Sequence, residues 1–330
     1  MPEGHSVKRL ADTFERWFAG TTCFTSSPQG RFEDGARLLN GRVMTEARSV
    51  GKHLFLRFDA LGEVEEPRWL HVHLGLYGAW RFYASGEAEL APSIGAPRVS
   101  VDADLREDTG FRSVGSRENE GFSLVLTDFD DEEEEEEWAP PDPVGQVRLR
   151  IENENLAADL TGPTRCEVVT EEDMEGTIAR LGPDPLDTGS DPEALRARFV
   201  CNIRGSKRPI GELVMDQSMI AGVGNIYRAE GLFRAGISPA RRGANVSVKR
   251  LEALWDDYVD LLHKGVSEGR ITTMREGDRP DPEEVEEEDP ESLRWYVYHR
   301  SGRECVVCGN EISEKLVQNR RLFWCPTCQR

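Results

Sequence analysis

The sequence lacks the features of several protein classes. No apolar run approaches the roughly 18 residues that a membrane-spanning helix needs, and the first residues lack the apolar core of a signal peptide. The seven cysteines are an odd number with four crowded near the end, which does not suit a disulfide framework. We therefore expect a cytosolic protein in a reducing compartment, whose 330 residues suffice for two domains or one large one.

Basic residues are fewer than acidic ones. The chain has 41 lysines and arginines and 61 aspartates and glutamates, which gives a net charge of −20. Spread evenly, that charge would argue against a nucleic-acid partner. It is uneven: residues 128–137 and residues 276–291 each sum to −9 and leave the rest at −2. Both runs predict solvated, disordered loops, with salt adaptation and mimicry of DNA as open alternatives. The remainder contains basic clusters: Arg204, Lys207, Arg208, Arg241, Arg242, Lys249 and Arg250.

Hydrophobic periodicity divides the chain into a mostly β first part and a mostly helical second part. Apolar residues three and four apart predict a helix from Val7 to Phe18, and alternating patterns then predict paired strands that form a sandwich. The change of character at the predicted linker, Pro183–Asp191, marks a domain boundary. Further predicted strands cover 43–58, 69–82, 97–103, 122–127, 145–152, 157–160 and 295–298, and further predicted helices cover 171–181, 192–200, 209–220, 226–235 and 249–266.

The first three residues are Met1-Pro2-Glu3, which place a nucleophile beside an acid. Removal of Met1 would leave Pro2 with a free secondary amine. An α-amine titrates near about 7.7–8.0 and a lysine near about 10.4, so more of the terminal amine is unprotonated at neutral pH. Such an amine can attack an aldehyde carbon to form a charged iminium. A disordered terminus without a function is the competing interpretation.

Three short segments of the first part carry candidate binding residues. Lys52 follows a glycine at the entry to a strand, where a lysine is either solvated or able to reach a phosphate. His71 and His73 share one strand face; no third ligand is evident nearby, which favours ordinary buried histidines over a metal site. Leu76 and Tyr77 lie on a turn between glycines, which suits either a buried hairpin tip or a wedge that enters a base stack.

In the second part, Gly222-Val223-Gly224-Asn225 predicts a tight turn between two helices. Asn225 is placed to cap the second helix. Exposed amides and the positive helix end make such a turn a natural phosphate site, while a plain helical hairpin is the competing interpretation.

The cysteines at the end of the chain form two Cys-x-x-Cys pairs separated by sixteen residues. This spacing predicts a closed tetrahedral Zn²⁺ site with a structural role, and a catalytic zinc or an iron–sulfur cluster is the alternative. The polar turn Gln318–Arg321 lies between the pairs, where an arginine is suited to grip a phosphate. The predicted metal ligands are Cys305, Cys308, Cys325 and Cys328.

Taken in order, Pro2-Glu3, Gly51-Lys52, the glycine turn at 222–225 and the four-cysteine ribbon closely resemble the formamidopyrimidine-DNA glycosylase/endonuclease VIII family. The start Met-Pro-Glu-Gly-His and the stretch from Gly162 to Glu167 are similar to an actinobacterial endonuclease VIII branch. The resemblance implies an α+β multidomain protein that clamps damaged DNA as a monomer near the nucleoid. Its units would be a catalytic β-sandwich domain at 1–182, a helix-two-turn-helix domain at 183–294 and a zinc ribbon at 295–330.

The resemblance also implies roles for single residues. Pro2 would attack C1′ of a flipped nucleotide, Glu3 would shuttle protons, and strand cleavage would follow by β,δ-elimination. Lesions would be oxidised bases, with pyrimidines favoured. Lys52, Asn225 and Arg320 would hold the flanking phosphates. Leu76 and Tyr77 would fill the gap in the base stack, and Lys207 would be a further DNA contact.

One position departs from the family pattern, because Ser6 stands where a second glutamate is common. Lesion preference is therefore open, while the chemistry implied for Pro2 is not affected. Two other readings also remain: a non-enzymatic or abasic-site-restricted DNA-binding relative with a zinc ribbon, and an N-terminal-nucleophile hydrolase unrelated to DNA.

Overall fold

A computed structural model of the chain describes residues 2–62, 65–85, 93–95, 138–281, 285 and 290–330. The strands predicted at 97–103 and 122–127, the acidic run 128–137 and part of the run 276–291 lie outside these residues. Among the described helices, none combines the length and apolarity that crossing a bilayer requires.

The first unit is a β-sandwich with one long helix packed on it. Strand β1 joins two antiparallel sheets, because its first half pairs with β2 and its second half pairs with β7. The order of the described strands is β6-β5-β8-β7-β1-β2-β3-β4-β9. The elements are α1 (Gly4–Phe18), β1 (Thr21–Ser26), α2 (Glu33–Leu39), β2 (Arg42–Val50), β3 (His53–Asp59), β4 (Arg68–His73), β5 (Ala79–Ala84), β6 (Ser93–Gly95), β7 (Val147–Glu152), β8 (Leu156–Thr161) and β9 (Arg165–Val169).

Side chains from both sheets and from α1 fill one core. Leu56 of β3, Trp80 of β5 and Ile151 of β7 are all fully buried in it, together with Phe14 of α1. The opposite face of β3 is also covered, because Phe55 packs on Met174 of the next helix. Burial on both faces explains why β3 reads as a nearly continuous apolar run. The predicted sandwich is confirmed.

The second unit is helical and has its own core, which includes Phe199, Leu213, Tyr227 and Tyr258. The predicted helix at 209–220 is wrong in extent, because it ends after one turn and the chain continues through irregular turns to residue 224. Its helices are α4 (Pro192–Arg204), α5 (Ile210–Leu213), α6 (Asn225–Arg234) and α7 (Val248–Glu268), whereas α3 (Glu171–Ile178) precedes the linker and packs on the sandwich unit.

The linker between the two units is packed rather than loose. Residues 181–186 are buried, and the Asp184 carboxylate accepts hydrogen bonds from the backbone N–H of Gly51 at 2.6 Å and of Leu186 at 2.9 Å. The carbonyl of Pro183 accepts from the N–H of Ala221 at 3.0 Å. The linker therefore touches both the strand turn that carries Lys52 and the turn before α6.

The ribbon is a hairpin of β10 (Ser313–Val317) and β11 (Arg320–Trp324). Gln318 and Asn319 make its tip with φ values of 50° and 58°, the left-handed pair that tight hairpins use. The strand predicted at 295–298 is wrong. Those residues form bends, because three of their backbone N–H groups donate to the Glu230 side chain instead of a neighbouring strand.

Candidate active site at the domain interface

Glu3 is the residue on which the candidate site is built. It is fully buried directly before α1, next to the buried Pro2. Its carboxylate accepts hydrogen bonds from the N–H groups of Gly224 at 2.9 Å, Ile226 at 2.8 Å and Tyr227 at 3.4 Å. A side chain of the sandwich unit therefore caps α6 of the helical unit, whose first amides would otherwise lack partners.

This contact corrects the prediction that Asn225 caps α6. Gly224 occupies the cap position and Asn225 is the first helical residue. The phosphate site predicted from the amides of this turn is also wrong in part, because Glu3 already occupies the amides of residues 224, 226 and 227. The sequence could not reveal this contact, since it joins residues more than 220 positions apart.

Two glycines permit the approach of the two units. A Cβ on Gly224 would lie 2.4 Å from Cδ of Glu3, and a Cβ on Gly4 would lie 2.9 Å from Cα of Gly222. The N–H of Gly4 donates to the carbonyl of Gly222 at 2.9 Å. The N-terminal residues thus dock on the turn before α6 by direct backbone contact.

Burial sets the electrostatics around Glu3. It raises the pKa of the Glu3 carboxyl, while the charge of Lys52 and the three amide donors lower it in part. Burial also lowers the pKa of Lys52 from 10.5 to about 8, with Glu3 acting to raise it and Arg320 and Arg228 lowering it further. Nζ of Lys52 donates to the Val223 carbonyl at 2.7 Å. The predicted Glu3 and Lys52 are therefore neighbours at the same turn.

Asn225 joins this turn to the ribbon. It is buried, and its Nδ2 donates to the carbonyl of Arg321 at 3.0 Å, while its Oδ1 accepts from Arg228. Arg228 is fully buried and also donates to the Arg321 carbonyl at 3.2 Å and the Gly211 carbonyl at 3.3 Å. Arg320, the residue before Arg321, is half-buried at the start of β11. Sequence analysis missed Arg228, although its position three residues after Asn225 places both on one helical turn.

The predicted wedge residues are exposed on the β4–β5 turn. Tyr77 is 78% exposed and Leu76 is 43% exposed. Gly75 at φ 69° and Gly78, where a Cβ would lie 2.3 Å from the Leu74 carbonyl oxygen, allow the tight turn. Lys207 is exposed in the turn between α4 and α5, and within the described residues no contact ties it to the Glu3 carboxylate.

The histidines form a cluster of three rather than the expected two. Nδ1 of His53 and Nε2 of His71 lie 2.8 Å apart, and the rings of His53 and His73 lie 5.0 Å apart. Burial lowers the pKa of His53 to about 4 and that of His71 to about 3, so both are neutral at neutral pH. β3 pairs His53 with His73, yet within the described residues the three rings do not bring three ligand atoms together, so the interpretation as ordinary histidines rather than a metal site is confirmed.

The four predicted cysteines converge. Their Sγ atoms all lie within 4.8 Å of one another, with 3.9 Å between those of Cys305 and Cys328 and 3.5 Å between those of Cys308 and Cys325. Four thiolates about 2.3 Å from a tetrahedral ion lie about 3.8 Å apart, so the donor set fits zinc. Across the described residues this is the one group of three or more metal-type side chains that meets.

Comparisons with known proteins agree with this arrangement. The family model described as formamidopyrimidine-DNA glycosylase N-terminal domain matches residues 1–158, and the one described as the H2TH domain of that enzyme matches residues 181–276. The relatives named endonuclease 8 1 of Mycobacterium tuberculosis and Mycobacterium bovis are each 39% identical to this chain over 330 residues, which is all of both chains.

A formamidopyrimidine-DNA glycosylase of Xanthomonas axonopodis pv. citri is 29% identical over 296 residues, 89% of this chain and 84% of the relative. The crystal structure of the Lactococcus lactis Fpg protein in complex with DNA containing N7-benzyl-Fapy-dG shares the fold, with a TM-score of 0.65 at 20% identity over the whole of both chains. The resemblance seen in the sequence is thereby confirmed. The chain belongs to the formamidopyrimidine-DNA glycosylase/endonuclease VIII family, whose members are bifunctional DNA glycosylases and AP lyases.

Proposed function

We propose that this protein removes oxidised bases, pyrimidines in the first place, from DNA and then cuts the strand at the same site. The observation that carries the proposal is the meeting of Pro2-Glu3, Lys52 and the turn before α6 at the domain interface. The 39% identity to mycobacterial proteins named endonuclease 8 1 supports the endonuclease VIII type of substrate.

Pro2 is the proposed nucleophile once Met1 has been removed. Its nitrogen forms a bond to C1′ of the deoxyribose while the bond from C1′ to the base breaks, and the base leaves with the electron pair and takes a proton. Cleavage of the C1′–O4′ bond, with O4′ taking a proton, then opens the sugar ring and converts the amine on C1′ into an iminium. This iminium draws electrons from C2′, so loss of a C2′ proton breaks the C3′–O bond. A second elimination breaks the C5′–O bond. The base must leave the stack first, because the sugar carbon cannot be reached inside the duplex.

Glu3 is the proposed proton shuttle. Burial raises the pKa of its carboxyl, which brings proton uptake and release closer to neutral pH. The three amide donors fix the orientation of the carboxylate, so the side chain does not need to change rotamer before it transfers a proton. The alternative role of a purely structural helix cap predicts that Glu3→Gln lowers stability and DNA binding together with activity, whereas a proton shuttle predicts that activity falls further than binding.

The groups around Glu3 suit the two phosphates that flank the lesion. We assign phosphate contacts to Lys52, Asn225 and Arg320, with Lys207 as a contact further along the strand. Leu76 and Tyr77 would occupy the space left by the flipped base, because both are large apolar side chains exposed together on one turn.

The ribbon would provide the remaining contacts to the DNA strand. We propose that Cys305, Cys308, Cys325 and Cys328 hold one Zn²⁺ that has a structural role, since four thiolates leave no position for a substrate. The boundaries 1–182, 183–294 and 295–330, and the location near the nucleoid, stay proposals.

Covalent trapping tests the chemistry. Borohydride reduces an iminium to a stable amine, so processed protein and abasic-site DNA should form a covalent complex whose cross-linked peptide begins at Pro2. A variant with a short N-terminal extension keeps every side chain but blocks the amine, and it should bind DNA without being trapped. Equal trapping of the extended and processed proteins would remove Pro2 from the mechanism.

A panel of duplexes then tests the substrate. Thymine glycol and dihydrouracil should be excised faster than 8-oxoguanine, and abasic sites should be cut in every sequence context. Binding without trapping or cleavage of any duplex would instead favour the non-enzymatic relative.

A further inference from the structure

Glu230 lies in α6, and its side chain binds the backbone of the segment that enters the ribbon. The side chain is fully buried, and no described hydrogen bond links its carboxylate to a lysine or arginine. Oε1 accepts from the N–H groups of Val297 and Tyr298, both at 2.9 Å. Oε2 accepts from the N–H of Tyr296 at 2.8 Å and from the Thr273 hydroxyl at 2.5 Å. Three successive amides around one carboxylate form an anion-binding nest.

This arrangement repeats the one at the start of the same helix. There, Glu3 of the sandwich unit accepts three amides of α6; here, Glu230 of α6 accepts three amides of the chain that enters the ribbon. Removing a buried carboxylate from such a nest leaves amides without acceptors, which costs more than the bonds themselves contribute. The position of the ribbon entrance is therefore tied to the position of α6.

Tyr298 links the nest to the candidate site. Its N–H donates to Glu230, and the pKa of its phenol is raised, chiefly by burial, with Glu3 raising it further and the Asn225 side chain acting to lower it. Its ring packs edge to face on Phe323 of β11 at 5.5 Å between centroids. Fixing the backbone of Tyr298 therefore fixes a ring that packs on β11, the ribbon strand whose Arg321 carbonyl accepts a hydrogen bond from Asn225 of the site.

We propose that Glu230 is a positioning residue for lesion recognition: by holding residues 296–298 against α6, it sets Tyr298 against Asn225 and keeps Arg320 at the site. The inference rests on the proposed function for its DNA substrate. The new roles are those of Glu230 and Tyr298, to which none has been assigned above. Glu230 itself touches neither the DNA nor the reacting sugar.

The test is Glu230→Gln, which keeps the size of the side chain but turns an N–H₂ group towards amide donors. The measured quantity is the ratio of affinities for a duplex with a non-cleavable abasic-site analogue and for the same undamaged duplex. We expect the ratio to fall on the order of tenfold, because the charge-assisted bonds that hold residues 296–298 are weakened and Tyr298 and Arg320 lose their fixed positions, while zinc content stays at one per chain. An unchanged ratio would overturn the proposal.

A matched control separates positioning from general loss of stability. Asp159 is another buried carboxylate, paired with Arg150 through bonds of 2.7 and 2.8 Å in the sandwich core. Asp159→Asn should lower the melting temperature and leave the affinity ratio unchanged. An equal fall of the ratio in both variants would show that Glu230 acts only through stability.

A second variant covers the case in which Glu230→Gln does not fold. Thr273→Val removes one of the four donors, and the affinity ratio should fall in the same direction by a smaller factor. Combining it with Tyr298→Phe should give less than the product of the two separate effects, because both act on one contact; a full product would contradict the proposal. Since binding is the readout, failure of trapping in the wild type would refute the proposed chemistry without deciding the role of Glu230.

Discussion

The lowered pKa of Lys52 predicts a loss of DNA affinity in mild alkali. Burial brings this pKa from 10.5 to about 8. A group with that value is about nine-tenths charged at pH 7 and about one-tenth charged at pH 9. A lysine grips a phosphate only when charged, so the affinity for a non-cleavable abasic-site duplex should fall by up to about tenfold over these two units. A bound phosphate favours the charged form, so the midpoint measured for the complex lies above that of the free protein.

Salt dependence identifies the contact that is lost. Each phosphate contact contributes about 0.9 to the slope of log affinity against log salt, so the slope should become shallower by roughly one contact between pH 7 and pH 9.5. Lys52→Gln should show the shallow slope at every pH. Lys52→Arg, which keeps its charge, should show a slope that does not change with pH.

Stability moves in the opposite direction, which separates loss of binding from unfolding. Between pH 8 and 10.5 the unfolded chain holds a proton on Lys52 that the folded chain has released. The contribution of Lys52 to the free energy of unfolding therefore rises with pH in this window. A wild-type salt slope that stays constant from pH 7 to pH 9.5 would refute the assignment of Lys52 to a phosphate.

Three further predictions follow from the site. Gly224→Ala should displace the Glu3 carboxylate, because the new Cβ would lie 2.4 Å from Cδ of Glu3. Borohydride trapping should slow at least about tenfold, and the free energy of unfolding should fall by roughly 1 kcal/mol because the helix cap is lost. Unchanged trapping would contradict the assignment of Glu3. Tyr77→Ala should weaken binding to lesion duplex more than to undamaged duplex, as read by fluorescence of a base analogue opposite the lesion; equal weakening would argue against a wedge. Zinc removal by a chelator, or Cys308→Ser, should unfold the ribbon and abolish lesion binding, because metal binding contributes about 10–16 kcal/mol to the folding free energy of such units. The control Cys201→Ser, at an exposed thiol, should change neither the melting temperature nor the binding affinity.

The parts of the fold that the sequence predicted are those that rest on local patterns. The α1 helix, the strand pair β2–β3 and the long helix α7 follow from periodicity. The strands β4 and β5 were predicted as a pair, and that pairing is wrong, because β4 pairs with β3 and β9 while β5 pairs with β6 and β8. The cysteine site follows from spacing alone. The exposed pair Leu76-Tyr77 follows from large apolar residues between two glycines.

The parts that were missed depend on long-range contacts. Asn225 is a good cap residue by type, but the buried Glu3 arrives from the other unit and satisfies the amides instead. Residues 295–298 have the composition of a strand, yet their amides are taken by Glu230. The buried Asp184 in the linker gave no periodic signal at all. In each case a carboxylate distant in the sequence overrides a local preference.

Under the proposed mechanism, the capping of α6 by Glu3 makes catalysis depend on the assembly of the two units. The acid and the helix that orients it belong to different halves of the molecule, so a chain whose halves drift apart exposes an amine with no oriented partner. An aldehyde that met such a chain would find the amine without its oriented acid, and the proposed addition would be slow.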